Sequence, residues 1–270
     1  MPPATLDGVL LLAWMERDEA LLWLRRNCWF EPELTDQQAE EIWIPYRDRM
    51  LALPERNYQA PQRLPIPQPQ RQLVSRFLAR FRGPEVSDVI NVNPLDLAVY
   101  QKYVVTDRCD HHAQQAGTWA RKFLVIDRPL GNLPGRMENG IIKFNLPHAE
   151  HLIAVQPDGA FRIQQGDGYV SVVELGGRLI LKAGYHRALA IAAAAINEPD
   201  ANDTCALVAL TRSLPPDLAP NCPNQGLRTT VLGARAPLLR DFFDRDLAME
   251  VNLRRKRWEA HIQVIAVDDP

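Results

Sequence analysis

Residues 179–196, with the sequence LILKAGYHRALAIAAAAI, constrain the fold of this chain more than any other stretch. A short apolar run stops at Gly184, and an alanine-rich segment begins directly afterwards. The apolar run predicts a buried strand, and the alanines predict a helix over 185–197 that packs closely on a sheet. Glycine suits such a junction because it adopts backbone angles that other residues resist. The chain is therefore expected to combine strands with helices.

Composition agrees with a globular fold and excludes several classes of protein. The chain has 270 residues, of which 46% are hydrophobic and 24% are charged, so it can form a sizeable core. A net charge of −2 argues against a surface that coats nucleic acid everywhere, but it allows local basic patches. No CxxC pair occurs among the four cysteines, which disfavours a structural zinc site.

The sequence also predicts a cytoplasmic protein with no membrane partner. No stretch reaches the roughly 18 uncharged apolar residues that a membrane-spanning helix requires. The first residues lack the basic segment of a signal peptide and acquire charges after a short apolar run. In that compartment the cysteines are expected to stay reduced.

The first 82 residues predict a helical N-terminal region. Apolar residues recur with helical spacing over 6–26. Thr35 and Gln38 form a capping-box signature for a helix that extends to about residue 51, with Trp43 and Ile44 on its buried face. The four prolines of residues 60–70 predict an extended connector, and a third helix over 70–81 ends before Gly83.

Residues 83–270 predict an α/β (α+β) domain. Strands are expected at 86–92, 121–127, 205–210 and in two stretches of 249–267, and hairpins at 151–164 and 169–184, the second turning at Gly176-Gly177. Helices are expected to begin near Pro94 and in the middle of 235–248. Glycine, proline and asparagine predict a long loop over 128–150.

The strand-to-helix joint has the chemistry of an anion site. The first N–H groups of a helix have no intrahelical partner, and the helix dipole is positive there, so a phosphate is stabilised at that end. Arg187 offers a guanidinium fork, and His186 offers a hydrogen-bond donor or proton shuttle. Tyr185 either stacks on a base or points into the core, and Lys182 is a further candidate ligand. The alternative is that Gly184–Arg187 only caps the helix and forms a surface salt bridge.

Two segments resemble the ParB/sulfiredoxin-like superfamily. The first, GGRLILKAGYHRALAI, has a strand followed by Gly184-Tyr185-His186-Arg187 in place of that superfamily's Gly-x-His/Arg-Arg motif. The second, VINVNPLDLAVYQKYV, is similar to its opening strand and Pro-x-x-Leu turn. The resemblance covers about 85–211 and implies a mixed sheet with helices. It also implies a nucleoside diphosphate or triphosphate, with or without Mg²⁺, at Lys182 and Gly184–Arg187.

The resemblance leaves more than one function open. It implies a nucleotide- or phosphate-binding protein that is regulatory or associated with DNA. The alternative is a nucleotide-dependent phosphotransferase or hydrolase, with His186 and Glu174 as catalytic groups or Asp96 as the base. Tyr185 stands where sulfiredoxins have their cysteine, so sulfinic-acid reduction is not expected. A third possibility is a scaffold that has lost its ligand and serves only for interaction with DNA or a protein.

Several other groups of residues have a plain structural interpretation beside a functional one. The basic run beside Trp258 could bind nucleic-acid phosphates or form a solvated face, and it consists of Arg254, Arg255, Lys256 and Arg257. The same two interpretations, phosphate binding or a solvated face, apply to Arg76, Arg80 and Arg82. We predict solvated loop residues rather than a metal site for Cys109, Asp110, His111, His112, His148 and His151. The N-terminal tryptophans are expected to pack between helices.

Overall fold

The computed structural model describes residues 5–56, 58, 61–106, 109, 135–138, 141–146, 151–155, 161–165, 169–197, 206–222, 225–254 and 258–263. The chain divides into two compact units. The first comprises Met1–Ile126 and Tyr169–Arg254, and the second comprises Asp127–Gly168 and Arg255–Pro270.

Twelve strands and five α-helices lie within the described residues. The strands are β1 (Thr5–Leu10), β2 (Val86–Val92), β3 (Tyr103–Val105), β4 (Gly135–Glu138), β5 (Ile141–Leu146), β6 (His151–Val155), β7 (Phe161–Gln165), β8 (Ser171–Leu175), β9 (Arg178–Ala183), β10 (Ala206–Thr211), β11 (Met249–Arg254) and β12 (Trp258–Gln263). The helices are α1 (Arg17–Leu22), α2 (Asp36–Ala52), α3 (Gln68–Phe81), α4 (Tyr185–Asn197) and α5 (Gly226–Leu232). A π-helical turn, Trp23–Asn27, continues α1.

A four-stranded mixed sheet, in the order β2-β10-β8-β9, occupies the first unit. β10 is antiparallel to β2 and parallel to β8, and β8 forms an antiparallel hairpin with β9. Gly176 and Gly177 turn this hairpin with φ of 58° and 72°, angles that glycine adopts without strain. The predicted hairpin, the helix after Gly184 and the strands at 86–92 and 205–210 are therefore confirmed, and the fold is of the α+β class.

The N-terminus departs from the helix predicted over 6–26. Residues 5–10 form β1, which pairs antiparallel with β11 on one side and with β3 on the other. Helical structure begins only after this strand. The prediction was wrong for β1 because hydrogen bonds to two distant strands outweigh a local helical pattern, which is a weak preference.

The second unit contains a three-stranded sheet, in the order β12-β5-β4, and the β6-β7 hairpin. The predicted hairpin over 151–164 is thus confirmed. The prediction of a long loop over 128–150 was wrong for β4 and β5, which pair with each other, while β5 also pairs with β12. Local composition does not predict this pairing because β12 is distant in the sequence. The strand predicted at 121–127 lies outside the described residues.

Helix α2 begins as its sequence predicts. The Oγ1 of Thr35 accepts a hydrogen bond from the Gln38 amide at 3.3 Å, and the Thr35 amide donates to Gln38 Oε1 at 2.9 Å. Trp43 is half-buried and donates from Nε1 to the Met15 carbonyl at 3.1 Å. Ile44 is 43% exposed, contrary to prediction, because adjacent helical residues point about 100° apart.

One hydrophobic core extends from the helices onto the mixed sheet. Phe77 of α3, Val89 of β2 and Leu189 of α4 belong to the same buried cluster. The domain boundary predicted at residue 82 stays a prediction, and this cluster includes residues on both sides of it. Near Pro94 the predicted helix is a single 3₁₀ turn, Pro94–Asp96, capped by the Asn93 side chain.

Candidate functional site

The joint between β9 and α4 is formed around Gly184. Its φ is +86°, in the region that favours glycine. A Cβ atom at this position would lie 2.9 Å from Val170 Cα, so the backbone passes too close to its neighbour for any side chain. The Gly184 carbonyl accepts the first helical hydrogen bond, from the Ala188 amide at 2.9 Å. Gly184 thus ends the strand and caps the helix in one residue.

Tyr185 points into the core, one of the two orientations that the sequence left open. It is 4% exposed, and its ring meets that of Tyr100 edge to face with centroids 6.0 Å apart. Its hydroxyl donates to the Leu181 carbonyl at 2.8 Å and accepts from the Tyr100 and Gln101 amides, each at 3.2 Å. Burial raises the pKa of Tyr185 far above its ordinary value. All the hydrogen-bonding capacity of the hydroxyl is therefore used within the protein.

His186 faces the neighbouring strand β3. Its Nε2 accepts a hydrogen bond from the Val105 amide at 3.3 Å, so a neutral ring carries its proton on Nδ1. Arg187, the next residue of the first helical turn, is half-buried and also contacts the protein. The first turn of α4 contains no acidic residue. Two of the three side chains in this turn thus tie the start of the helix to its surroundings, with Arg187 beside them.

Lys182 lies at the end of β9 in a polar group that the sequence did not predict. Its Nζ pairs with Glu85 and donates to Ser213 Oγ at 2.8 Å, and Ser213 Oγ lies 2.6 Å from the same carboxylate. Hydrogen bonds from Lys182 and then Ser213 lower the pKa of the Glu85 carboxyl. Glu85 is thus a weak base toward Ser213, and the group is an ion pair rather than an activated nucleophile.

Of the two candidate catalytic acids, Glu174 lies apart from His186 and Asp96 is engaged by an arginine. Strand register pairs Ser171 with Ala183 but Glu174 with Leu179, so Glu174 is about 13 Å further along the hairpin from the joint. Glu174 is paired with Arg63 at 3.2 Å. Asp96, the other candidate base, forms an ion pair with Arg240. The structure therefore does not bring Glu174 together with His186.

Arg254, the first residue of the predicted basic run, is held on β11 beside the π-helical turn. Its Nε donates to the Cys28 carbonyl at 3.1 Å, and it pairs with Glu33 at 2.7 Å. The hydrogen bond from Arg254 to Glu33 lowers the pKa of the Glu33 carboxyl. The sequence reasoning missed Arg25 and Arg26, which line a surface depression with Arg254. Their signal is a repeated Leu-Arg-Arg, at residues 24–26 and 253–255. Arg255, Lys256 and Arg257 lie outside the described residues.

The residues with metal-ligand chemistry are only partly described. Cys109 is buried, and its thiol lies 3.6 Å from the Val105 carbonyl. Asp110, His111, His112 and His148 lie outside the described residues, and only the backbone of His151 is described, on β6. Among the described residues, no three His, Cys, Asp or Glu side chains come together in a way that could hold a metal ion.

The N-terminal tryptophans contribute packing in different places. Trp14 is 2% exposed and donates from Nε1 to the Arg235 carbonyl at 2.7 Å. Trp23 packs against Tyr103 with ring centroids 4.3 Å apart, and Trp29 lies under the guanidinium of Arg254 at 5.4 Å. Each ring packs against protein groups, but Trp23 and Trp29 contact residues of strands rather than the other helices that the sequence predicted.

Comparison with known proteins adds no family to these observations. In the described part of the chain, no helix has the length and hydrophobicity needed to cross a lipid bilayer. No protein-family model, no curated protein and no solved structure matches this chain.

Proposed function

We propose that this chain binds a phosphate-bearing ligand, with a nucleotide as the preferred candidate, at the start of α4. The observation that carries the proposal is the joint itself, where Gly184, at φ +86°, connects β9 directly to a 13-residue helix. The amide groups of the first turn and the helix dipole together favour an anion at that end.

The side chains of the joint divide into two roles under this proposal. Tyr185 and His186 position the first turn, because the hydroxyl of one and the Nε2 of the other bond to backbone atoms of the protein. Arg187 supplies the guanidinium fork for phosphate oxygens. A guanidinium carries five N–H donors, so it can serve the protein and a ligand at once. With no acidic residue in the first turn, no neighbouring side chain of that turn repels the phosphate.

The proposal assigns binding to the joint, with a regulatory role that includes contact with DNA. Catalysis would require an acid or base near the phosphate, and Glu174 lies at the other end of the β8-β9 hairpin. Mg²⁺ would arrive with the nucleotide, held by the phosphates themselves. Catalytic roles for His186 and Glu174 stay predictions.

A thermal-shift series on the whole chain tests the proposal. Wild type, Arg187→Ala and Arg245→Ala are each heated with ATP, CTP or GTP, with and without Mg²⁺. Arg245 is a matched control because it is an exposed arginine that does not belong to the first turn of α4. A ligand at 100 times its Kd stabilises the native state by about 2.7 kcal/mol. We expect one nucleotide to raise the Tm of wild type and of Arg245→Ala but not that of Arg187→Ala, each against its own ligand-free sample.

Two results would overturn the proposal. One is a folded wild type that no nucleotide stabilises. The other is an Arg187→Ala variant that keeps the full shift, because the phosphate would then lie elsewhere. Release of inorganic phosphate or of a nucleoside diphosphate during the same incubation would replace the binding role with the enzymatic alternative.

A further inference from the structure

A row of four arginines, here called the arginine surface, lies on the first unit and consists of Arg17, Arg25, Arg26 and Arg254. One depression of about 310 Å³ is lined by Arg25, Arg26 and Arg254 with Glu33 and Leu34. A second, of about 270 Å³, is again lined by Arg25 and Arg26 and adds Arg17, Leu21, the exposed Leu22 and two carboxylates, those of Asp18 and Asp36. Because the two depressions share Arg25 and Arg26, these residues lie between Arg254 and Arg17.

Three of these guanidinium groups are held in place by the protein, and Arg17 donates to both carboxylate oxygens of Glu40. The Nε of Arg25 donates to the Leu34 carbonyl at 3.2 Å, and its Nη1 pairs with Asp36. Arg254 is fixed by its bonds to Cys28 and Glu33 and by the ring of Trp29 beneath it. Each group keeps further N–H donors, because a guanidinium has five. Such anchoring lowers the entropy lost when a ligand binds.

Arg26 differs from its three neighbours in how its charge is compensated. It lies on the π-helical turn and is exposed. Within the part of the chain that the structure describes, no ion pair or side-chain hydrogen bond involves Arg26, whereas Arg17, Arg25 and Arg254 are each paired with a carboxylate. Among those residues, Arg26 is thus the arginine of this surface that forms no ion pair, although the carboxylates of Glu33, Asp18 and Asp36 line the same depressions.

We propose that the arginine surface binds the phosphate backbone of a nucleic-acid strand. Guanidinium groups match phosphate oxygens in geometry and charge. A row of cations along two adjoining depressions fits successive phosphates better than one isolated anion. The exposed Leu22 in the second depression gives an unstacked base an apolar contact. This site is separate from the start of α4 and uses none of its residues.

Fluorescence anisotropy with a labelled 20-nucleotide DNA strand tests this proposal. Wild type, Arg26→Gln and Arg245→Gln are titrated at several salt concentrations, and folding is checked by circular dichroism. Both variants remove one exposed positive charge, but Arg245 lies outside both depressions. We expect Arg26→Gln to raise the Kd at least about threefold and to reduce the salt slope by about 0.7, the value for one lost phosphate contact on a single strand. Arg245→Gln is expected to stay within twofold of wild type.

Competition then separates a strand from a free anion. Inorganic phosphate at 5 mM, with ionic strength held constant, should leave strand binding unchanged. The proposal is overturned if wild type fails to bind the strand at 50 mM salt, or if the two variants weaken binding equally. It is also overturned if inorganic phosphate displaces the strand from wild type but not from Arg26→Gln, because Arg26 would then bind a free anion. Arg187→Ala should bind the strand as wild type does, so this result does not depend on the proposed nucleotide site.

Discussion

The joint at Gly184 and the arginine surface use their conspicuous side chains in opposite ways. At the joint, the Tyr185 hydroxyl and the His186 Nε2 bond to backbone atoms of the protein. At the arginine surface, side chains of Arg17, Arg25 and Arg254 are 30–50% exposed, and Arg26 has no partner among the described residues. Tyr185 and His186, which stand out in the sequence, therefore contribute mainly to packing, whereas Arg26 keeps its charged group exposed to solvent.

This difference predicts that the joint controls stability, and Gly184→Ala should have the largest effect. Alanine at a positive φ costs about 1–2 kcal/mol, and displacing the Val170 backbone from a contact of 2.9 Å adds an overpacking cost of about 1–3 kcal/mol. Urea denaturation followed by circular dichroism measures the loss in the free energy of unfolding.

Gly177→Ala is the matched control for Gly184→Ala. Its φ is also positive, +72°, but a Cβ atom at this position would meet no neighbouring atom within 4 Å. Gly177→Ala should therefore lose only the free energy that alanine costs at a positive φ, about 1–2 kcal/mol. Equal losses in the two variants would show that close packing against Val170 does not constrain the joint.

Tyr185→Phe should have the next largest effect. It leaves the Leu181 carbonyl and the Tyr100 and Gln101 amides without their buried hydroxyl partner, and a buried polar group that loses its bond costs about 1–3 kcal/mol. Tyr100→Phe is the control, since it removes one hydrogen bond of 3.3 Å to the Lys182 carbonyl. Urea denaturation at pH 7 compares the free energies of unfolding of the two variants. A Tyr185→Phe variant as stable as wild type would mean that this hydroxyl does not hold the joint.

Arg26→Gln should have the smallest effect on stability. Exposed substitutions away from caps and networks change the free energy of unfolding by less than about 0.5 kcal/mol. The same substitution is expected to weaken strand binding, so stability and binding separate at the arginine surface. A loss above about 1 kcal/mol in the same urea experiment would contradict the comparison, because Arg26 would then be a structural residue.

Local chemistry was enough to predict the elements around the joint. The Gly176-Gly177 turn, the alanine-rich helix after Gly184 and the capping box at Thr35 each depend on residues a few positions apart. Such short-range patterns can be recognised without knowing the rest of the chain. The position of the candidate phosphate site was predictable for the same reason.

Other parts depend on residues that the chain brings together from far away. β1 is a strand because β11 and β3 pair with it, and Arg56 is held by Asp241, a carboxylate only 3% exposed, through bonds of 2.7 and 2.8 Å. The orientation of His186 toward Val105 likewise depends on a contact between residues far apart in the sequence. No local pattern contains this information, because it depends on which distant segments pack.

The sequence by itself determined the strand-turn-helix order around Gly184, since glycine, alanine and apolar residues act through local backbone preferences. Only the tertiary structure decided that Tyr185 lies in the core, that Glu174 lies away from His186, and that Arg25 and Arg26 lie beside Arg254. Those arrangements depend on strand register and on packing between distant segments, where burial and hydrogen bonding outweigh local preference.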